Sequence, residues 1–407
     1  MNQFWCFCPI ISSLSVLLTS GCERSEMGAA FEGHAGATTA QGGSGGTLPA
    51  LSHAGGSPNA GGSKSTNTLT DYLGHSGYPD DFWKPTSFAE SGANPKPFEQ
   101  ALRRIADRGW EIHSFLVALN GKLLFERYGY DQGTNPDAPA TPHAIAPTER
   151  HSLWSTTKSI TSALVGIAIG EGKISGVDHR VVDWFADYSE LNPSDDKSGI
   201  TLEDLLTMRS GLQFTEGQTG IFDTADPTRS ALSQDMTHPP GSTWNYSSGN
   251  AEIAAEILRL TTNQTPLEYA KSKLFDPIGI TNPPWEASPT GLEHGGFGLS
   301  LTPREMARFG ELYRNFGRWG TTQVIPSDWT TTSTLAHATS SWGMDYGYFW
   351  FVPNLDDFFV SIGMYGQQIF VSRKHGLVIV FTGFLPSAEA NSNYQSLIID
   401  YILPALK

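Results

Sequence analysis

The sequence predicts an α+β fold: an antiparallel sheet built from both ends of the chain and flanked by helices, with a mainly helical lobe between them and an active site where the two meet. Three observations carry this. Two apolar runs, residues 114–119 and 122–128, surround Asn120-Gly121, a strong short hairpin signal. The middle of the chain has helical periodicity broken by glycines and turn residues. The last part returns to strand-like runs at 346–351, 358–360, 368–371 and 377–382, then closes with a helical pattern over 393–403. A cleft between two such lobes is the expected place for chemistry.

The first 70 residues read differently. Residues 4–18 are apolar, too short for a comfortable membrane span and of signal-peptide length. The run ends in Leu17-Leu18-Thr19-Ser20-Gly21-Cys22. Small residues before a cysteine resemble a bacterial lipobox, which makes residues 1–22 a signal peptide and Cys22 the lipidated residue. The n-region, Met1-Asn2-Gln3, carries no Lys or Arg, and Thr19 stands where Leu is usual, so ordinary secretory cleavage nearby is the alternative. Either route exports the protein to the periplasm or cell envelope. A lipid at Cys22 would be its one membrane attachment. Residues 23–70 are rich in Gly, Ser and Ala and cannot bury enough apolar surface to order themselves. They read as a tether. Residues 71–407 form the folded domain, whose size corresponds to burial of roughly 75% of its unfolded surface.

Within that domain, residues 98–110 have helical spacing ahead of the Asn120-Gly121 hairpin. A buried helix follows Ser155 and stops at Gly170-Glu171-Gly172. Residues 181–185 and 202–208 read as short helices, 251–260 as a strongly periodic one and 269–274 as another. Thr302-Pro303-Arg304-Glu305 has an N-cap, a proline at the first helical position and a glutamate three after the cap, which together form a capping box. Loops 213–237 and 331–342 shape the cleft.

The net charge of −15 argues against a nucleic-acid partner, because phosphate binding needs basic patches. Cys6, Cys8 and Cys22 all precede the folded domain, so it has no disulfide framework, Cys-ligated zinc or cysteine nucleophile.

The chemistry centres on Ser155-Thr156-Thr157-Lys158. Positions three apart on a helix share a face, so the hydroxyl and the amine can meet. The helix start adds free N–H groups and a positive dipole end. A nucleophilic serine needs a base and donors for an oxyanion. Tyr246, in a turn-rich loop before a helix, is the candidate for a third proton-transfer group. Glycines in Ser361-Ile362-Gly363-Met364-Tyr365-Gly366 permit close backbone approach, so the Met364 N–H could join that of Ser155 as an oxyanion donor.

These motifs, in this order, resemble the serine β-lactamase-related hydrolases: class C β-lactamases, D-alanyl-D-alanine carboxypeptidases, family VIII esterases and 6-aminohexanoate-dimer hydrolases. Ser155-Thr156-Thr157-Lys158 matches the family's Ser-x-x-Lys. Residues 200–212 resemble its helix and Ser-Gly-Leu turn, Tyr246-Ser247-Ser248 falls on its Tyr-x-Asn, residues 295–303 resemble the approach to its late helix, and Ser361-Ile362-Gly363 falls on its Lys/His-x-Gly. The similarity covers roughly residues 80–405 and implies a β-lactamase/transpeptidase-like fold. It implies Ser155 as nucleophile, Lys158 as base, Tyr246 as proton relay, and Ser155 and Met364 N–H groups at the oxyanion. Gly363, Ser361 and Ser248 would line the substrate. No metal or cofactor is implied.

Two departures steer the substrate. Ser248 replaces the Asn, and Ser361 replaces the Lys or His that would bind a substrate carboxylate. That removes a charge-assisted partner worth roughly 1.5–3 kcal/mol. The expected activity is therefore hydrolysis of small-molecule esters or small amides through an acyl-enzyme. A β-lactamase or D-alanyl-D-alanine carboxypeptidase-type penicillin-binding enzyme is the alternative. A catalytically silent, surface-anchored binding protein is the third reading.

Overall fold

The computed structural model describes residues 85–134, 141–186, 188, 196–217 and 219–407. The expected signal peptide, Cys22, the tether and the start of the domain at residue 71 lie outside the described residues. The expected sheet is present, with eight strands. After a single helical turn at Phe88–Ser91, helix α1 (Pro95–Arg108) leads to the sheet, capped by Asn94, whose side chain accepts from Lys96 N, and closed by Gly109 in the left-handed region. Strands β1 (Ile112–Leu119) and β2 (Lys122–Tyr128) pair antiparallel, with Leu119 opposite Lys122. Asn120 and Gly121 between them take φ of 50° and 77°, as a tight two-residue turn requires.

The helical section follows. Helix α2 (Thr157–Gly170) is buried at every position from Thr157 to Ala168. Helix α3 (Leu202–Leu206) is fixed by a Thr201/Asp204 capping box. Helix α4 (Ser248–Thr262) has Ser247 as N-cap. Helix α5 (Pro303–Arg314) starts at the expected box: Thr302 N donates to Glu305 Oε2 at 2.8 Å and Thr302 Oγ1 accepts from Glu305 N at 3.2 Å. Such a cap contributes about 1 kcal/mol.

The chain then returns to the sheet through β3 (Ala338–Thr339), β4 (Asp345–Tyr346), β5 (Phe351–Val352), β6 (Phe358–Gly363), β7 (Gln367–Ser372) and β8 (Leu377–Gly383). The strand order is β2-β1-β8-β7-β6-β5-β4-β3. β1 lies against β8, with Leu119 opposite Leu377, so both ends of the domain meet mid-sheet. α5 packs on this layer so closely that a Cβ on Gly310 would sit 2.5 Å from Val378 Cγ1. Helix α6 (Ser387–Leu397) closes the fold.

One expected strand is broken. The apolar run 346–351 is not continuous but folds back on itself, with Tyr346 opposite Phe351. Tertiary contacts override the local pattern here: Tyr348 N donates to Ser333 O, Phe349 N donates to Leu206 O, and Phe349 sits at φ 60°. The short helix expected over 181–185 is a 3-10 helix, Val181–Trp184.

Candidate active site

Ser155 sits in the 3-10 turn Trp154–Thr156, directly before α2. Trp154 holds φ 49°, a conformation that non-glycine residues adopt only when the surroundings impose it. Those surroundings include the edge-on ring of Tyr365, 5.6 Å away. The turn leaves Ser155 partly exposed while Lys158, one turn on, is 1% exposed.

Lys158 Nζ donates to three oxygens: Ser155 Oγ at 3.1 Å, Ser248 Oγ at 2.8 Å and Gly296 O at 3.1 Å. Nζ thus has a hydrogen-bond partner in three directions, so burial leaves no polar atom of this side chain unsatisfied. Gly296 matters by its lack of a side chain: a Cβ there would stand 3.3 Å from both Lys158 Nζ and Ser248 Cβ.

Ser248 extends the chain of contacts to a residue that the sequence reading missed. Its Oγ donates to Glu216 Oε1 at 2.5 Å, and the same carboxylate oxygen accepts from Ser248 N at 2.9 Å. Ser248 is the first residue of α4, so Glu216 occupies the N-terminal end of a 15-residue helix, where free N–H groups and the dipole favour an anion. The result is a continuous line, Ser155–Lys158–Ser248–Glu216.

Tyr246 approaches Lys158 by its ring, whose centroid is 4.8 Å from Nζ. Its neighbours are aromatic: Trp342 at 4.8 Å, Trp244 at 6.1 Å and Phe351 at 6.2 Å between centroids. Trp342 is 54% exposed and forms the outer part of this wall. Tyr346, a second tyrosine packed on Trp244 and Phe351, is fully enclosed; burial and the nearby Tyr246 and Glu216 push its pKa well above the ordinary value. Tyr346 therefore keeps its proton, which leaves Tyr246 as the phenol beside Lys158. An open cavity of about 470 Å³ lies beyond Trp244, lined among others by Arg209, His337 and Asp345. Ser155, Lys158 and Tyr246 do not line it, so it flanks the reacting groups rather than holding them.

The end of β6 abuts the turn that holds Ser155. A Cβ on Gly363 would lie 2.2 Å from Leu153 O and 3.2 Å from Thr156 Oγ1, so only glycine allows this approach. Thr156 Oγ1 donates to Gln367 O at 2.9 Å and fastens the β6–β7 turn to the same place. Met364, partly exposed, follows directly in the 3-10 turn Met364–Gly366.

Ser361 departs from the expectation that it lines the substrate. It is 0% exposed, lies 2.9 Å from Ser159 Oγ, and donates to Thr156 O at 3.4 Å. Its side chain points beneath α2, and two atoms are too few to reach the cleft from there. Ser248 is brought to the centre; Ser361 is not.

Glu216 and Trp342 come from loops 213–237 and 331–342, and no local spacing in the sequence marks either one. Lys158's contact with Gly296 had a partial signal in the glycine pair at 295–296.

The family model described as Beta-lactamase matches residues 102–392. A curated relative, Protein flp of Staphylococcus aureus (strain N315), is 23% identical over 194 residues, 46% of this chain and 37% of that protein. The chain thus spans little more than a third of that relative's length. Among solved structures, a candidate 6-aminohexanoate-dimer hydrolase from Bacillus anthracis aligns with TM-score 0.63 and 22% identity, covering 78% of this chain and 86% of that one. A family VIII carboxylesterase aligns with TM-score 0.60 and 17% identity, covering 76% and 96%. These likenesses confirm the expected β-lactamase/transpeptidase-like fold.

Proposed function

Because the chain belongs to the Beta-lactamase family of serine hydrolases, we propose that it cleaves esters or small amides through an acyl-enzyme on Ser155. The observation that supports this most is the 3.1 Å contact of Lys158 Nζ with Ser155 Oγ at a helix start. With Lys158 uncharged, Ser155 Oγ attacks the acyl carbon and its proton passes to Nζ. The N–H groups of Ser155 and Met364 receive the oxyanion. As the tetrahedral intermediate collapses, the bond to the leaving alkoxide or amine breaks; the Tyr246 hydroxyl gives its proton to that group and takes in exchange the one held on Lys158 Nζ, which leaves Lys158 uncharged again. Water then attacks the acyl-serine, gives its proton to Lys158, and releases the acid with Ser155 reprotonated. No hydrogen bond joins the Tyr246 hydroxyl to Ser155 or Lys158 among the described residues; catalytic contacts are often long until substrate binds.

The withdrawal of Ser361 from the cleft favours esters and small amides over carboxylate-bearing β-lactams and peptides. A panel of p-nitrophenyl esters and short amides, beside a chromogenic cephalosporin, tests this. Expected are ester or amide turnover and an acyl adduct on Ser155 by intact mass, both abolished in Ser155→Ala. Equal inactivity of wild type and Ser155→Ala on every substrate would refute it. Penicillin labelling that Ser155→Ala blocks, without ester turnover, would favour the cell-wall alternative. The apolar run and Cys22 further support export and lipid anchoring, tested by fractionation and by labelling Cys22 with a fatty acid.

A further inference from the structure

A cluster at the start of β1 takes no part in this reaction. Glu111 and His113 flank Ile112, and Asp131 comes from the short strand Tyr130–Asp131. One ligand atom from each lies within 4.8 Å of the other two. His113 Nε2 and Glu111 Oε1 are 3.4 Å apart. For bonds of about 2.05 Å, tetrahedral zinc ligands stand ~3.3 Å from one another, so this pair already spans one edge of such a site.

Two independent features point to a ligand. The first is a bulge. Ile112 and Ser114 face the adjacent residues Gly383 and Thr382 on β8, so His113 is the extra residue. Bulges re-aim a side chain, and this one aims His113 at two carboxylates. The second is His151, in the short strand His151–Ser152. It is 9% exposed, its ring is 5.7 Å from that of His113, and its Nε2 is buried without a partner among the described residues. That ring contact places His151 beside the cluster, next to His113 and just outside the set of three whose ligand atoms lie within 4.8 Å. A buried imidazole nitrogen without a partner costs free energy that a metal ion would recover. The carboxylates are held in place as well. Glu111 accepts from Gln132 N at 2.8 Å and Thr134 Oγ1 at 3.0 Å, and Asp131 Oδ1 accepts from Gly133 N at 2.6 Å.

We propose that Glu111, His113 and Asp131, with His151 turning in from beside His113 as fourth donor, bind a divalent first-row transition cation of the zinc type. Two imidazoles with two carboxylates suit such ions better than calcium or magnesium, which take oxygen ligands. The ion would tie β1, the hairpin strand Tyr130–Asp131 and the strand His151–Ser152 together. That last strand pairs with Ser300-Leu301 and reaches Ser155 within four residues. Its role is to clasp the frame beneath the nucleophile's turn, independently of what Ser155 attacks.

The test uses the full-length protein, stripped with chelator and titrated with zinc chloride by calorimetry, and with cobalt for its visible absorption. Expected are one saturable equivalent, a raised melting temperature and a tetrahedral cobalt spectrum. His113→Ala and His151→Gln should each weaken binding by at least about tenfold, since even outer-shell losses cost that much. Circular dichroism without metal checks that each variant folds; should His113→Ala fail, Asp131→Asn on the half-buried hairpin replaces it. Absence of saturable uptake by wild type, or uptake unchanged in the folded variants, would overturn the proposal.

Discussion

Two serines stand where the resemblance puts an asparagine and a lysine or histidine. Ser248 and Ser361 are both nearly inaccessible, at 4% and 0% exposure. Their surroundings differ completely. Ser248 begins α4, so its hydroxyl faces the first turn of α2, where it accepts from Lys158 and donates to Glu216. Ser361 lies within β6 and turns its hydroxyl under the same helix, against Ser159 and Thr156. One replacement preserves a polar contact with Lys158. The other gives its polar atom to the scaffold and leaves the cleft without the cation that lysine would bring. Exposure alone does not distinguish them; connection to the reacting groups does.

The largest expected effect tests the line that Ser248 belongs to. Lys158→Met should lower kcat/KM by about 10²–10⁴, the usual contribution of a positioned base. Melting temperature should be read alongside, because the change also removes a buried polar group with three partners. A loss under tenfold would remove Lys158 from the mechanism. Ser248→Ala comes next. It deletes a hydrogen bond to a charged group, worth about 1.5–3 kcal/mol, or roughly 10–150-fold if felt wholly in the transition state. Glu216→Gln should follow in the same direction with a smaller loss, since an amide oxygen can still accept from Ser248. A rate unchanged in both variants would show that the line ends at Lys158.

Trp342→Ala probes the aromatic side of the cleft. Its ring packs at a tilt 4.8 Å from Tyr246 yet stays half exposed. Aromatic contacts of this kind are worth about 0.5–1.5 kcal/mol. KM for an aromatic ester should rise by roughly two- to tenfold with kcat little changed. An equal fall in kcat would instead mean that Trp342 orients Tyr246.

How far the sequence disclosed all this depends on the distance over which each signal acts. Ser155 and Lys158 are legible because helical spacing alone brings them together. Asn120-Gly121 and Thr302-Pro303-Arg304-Glu305 are legible for the same reason: turn and cap chemistry is local. The run 346–351 misleads because its turn is imposed from outside, by Ser333 O and Leu206 O. Glu216 is invisible because nothing within its own loop says that the end of α4 will arrive beside it. Ser361 is the instructive middle case. Motif order finds its position, but strand geometry sends its side chain inward.

That inward direction yields the smallest predicted effect on rate. Ser361→Ala removes a hydroxyl from the dry space between β6 and α2, and Thr156 O loses a donor 3.4 Å away. Stability should fall by about 1 kcal/mol, read from urea midpoints at constant m-value. Ester turnover should change by less than a factor of two, because neither Lys158 nor Ser155 touches this hydroxyl. The outcome separates the two serines. If Ser361→Ala lost as much rate as Ser248→Ala, with substrates that carry no charge, the serine in β6 would be acting on the nucleophile through Thr156 and the turn. If it lost stability alone, the two altered motif positions would be different in kind: one part of the proton path, the other part of the frame.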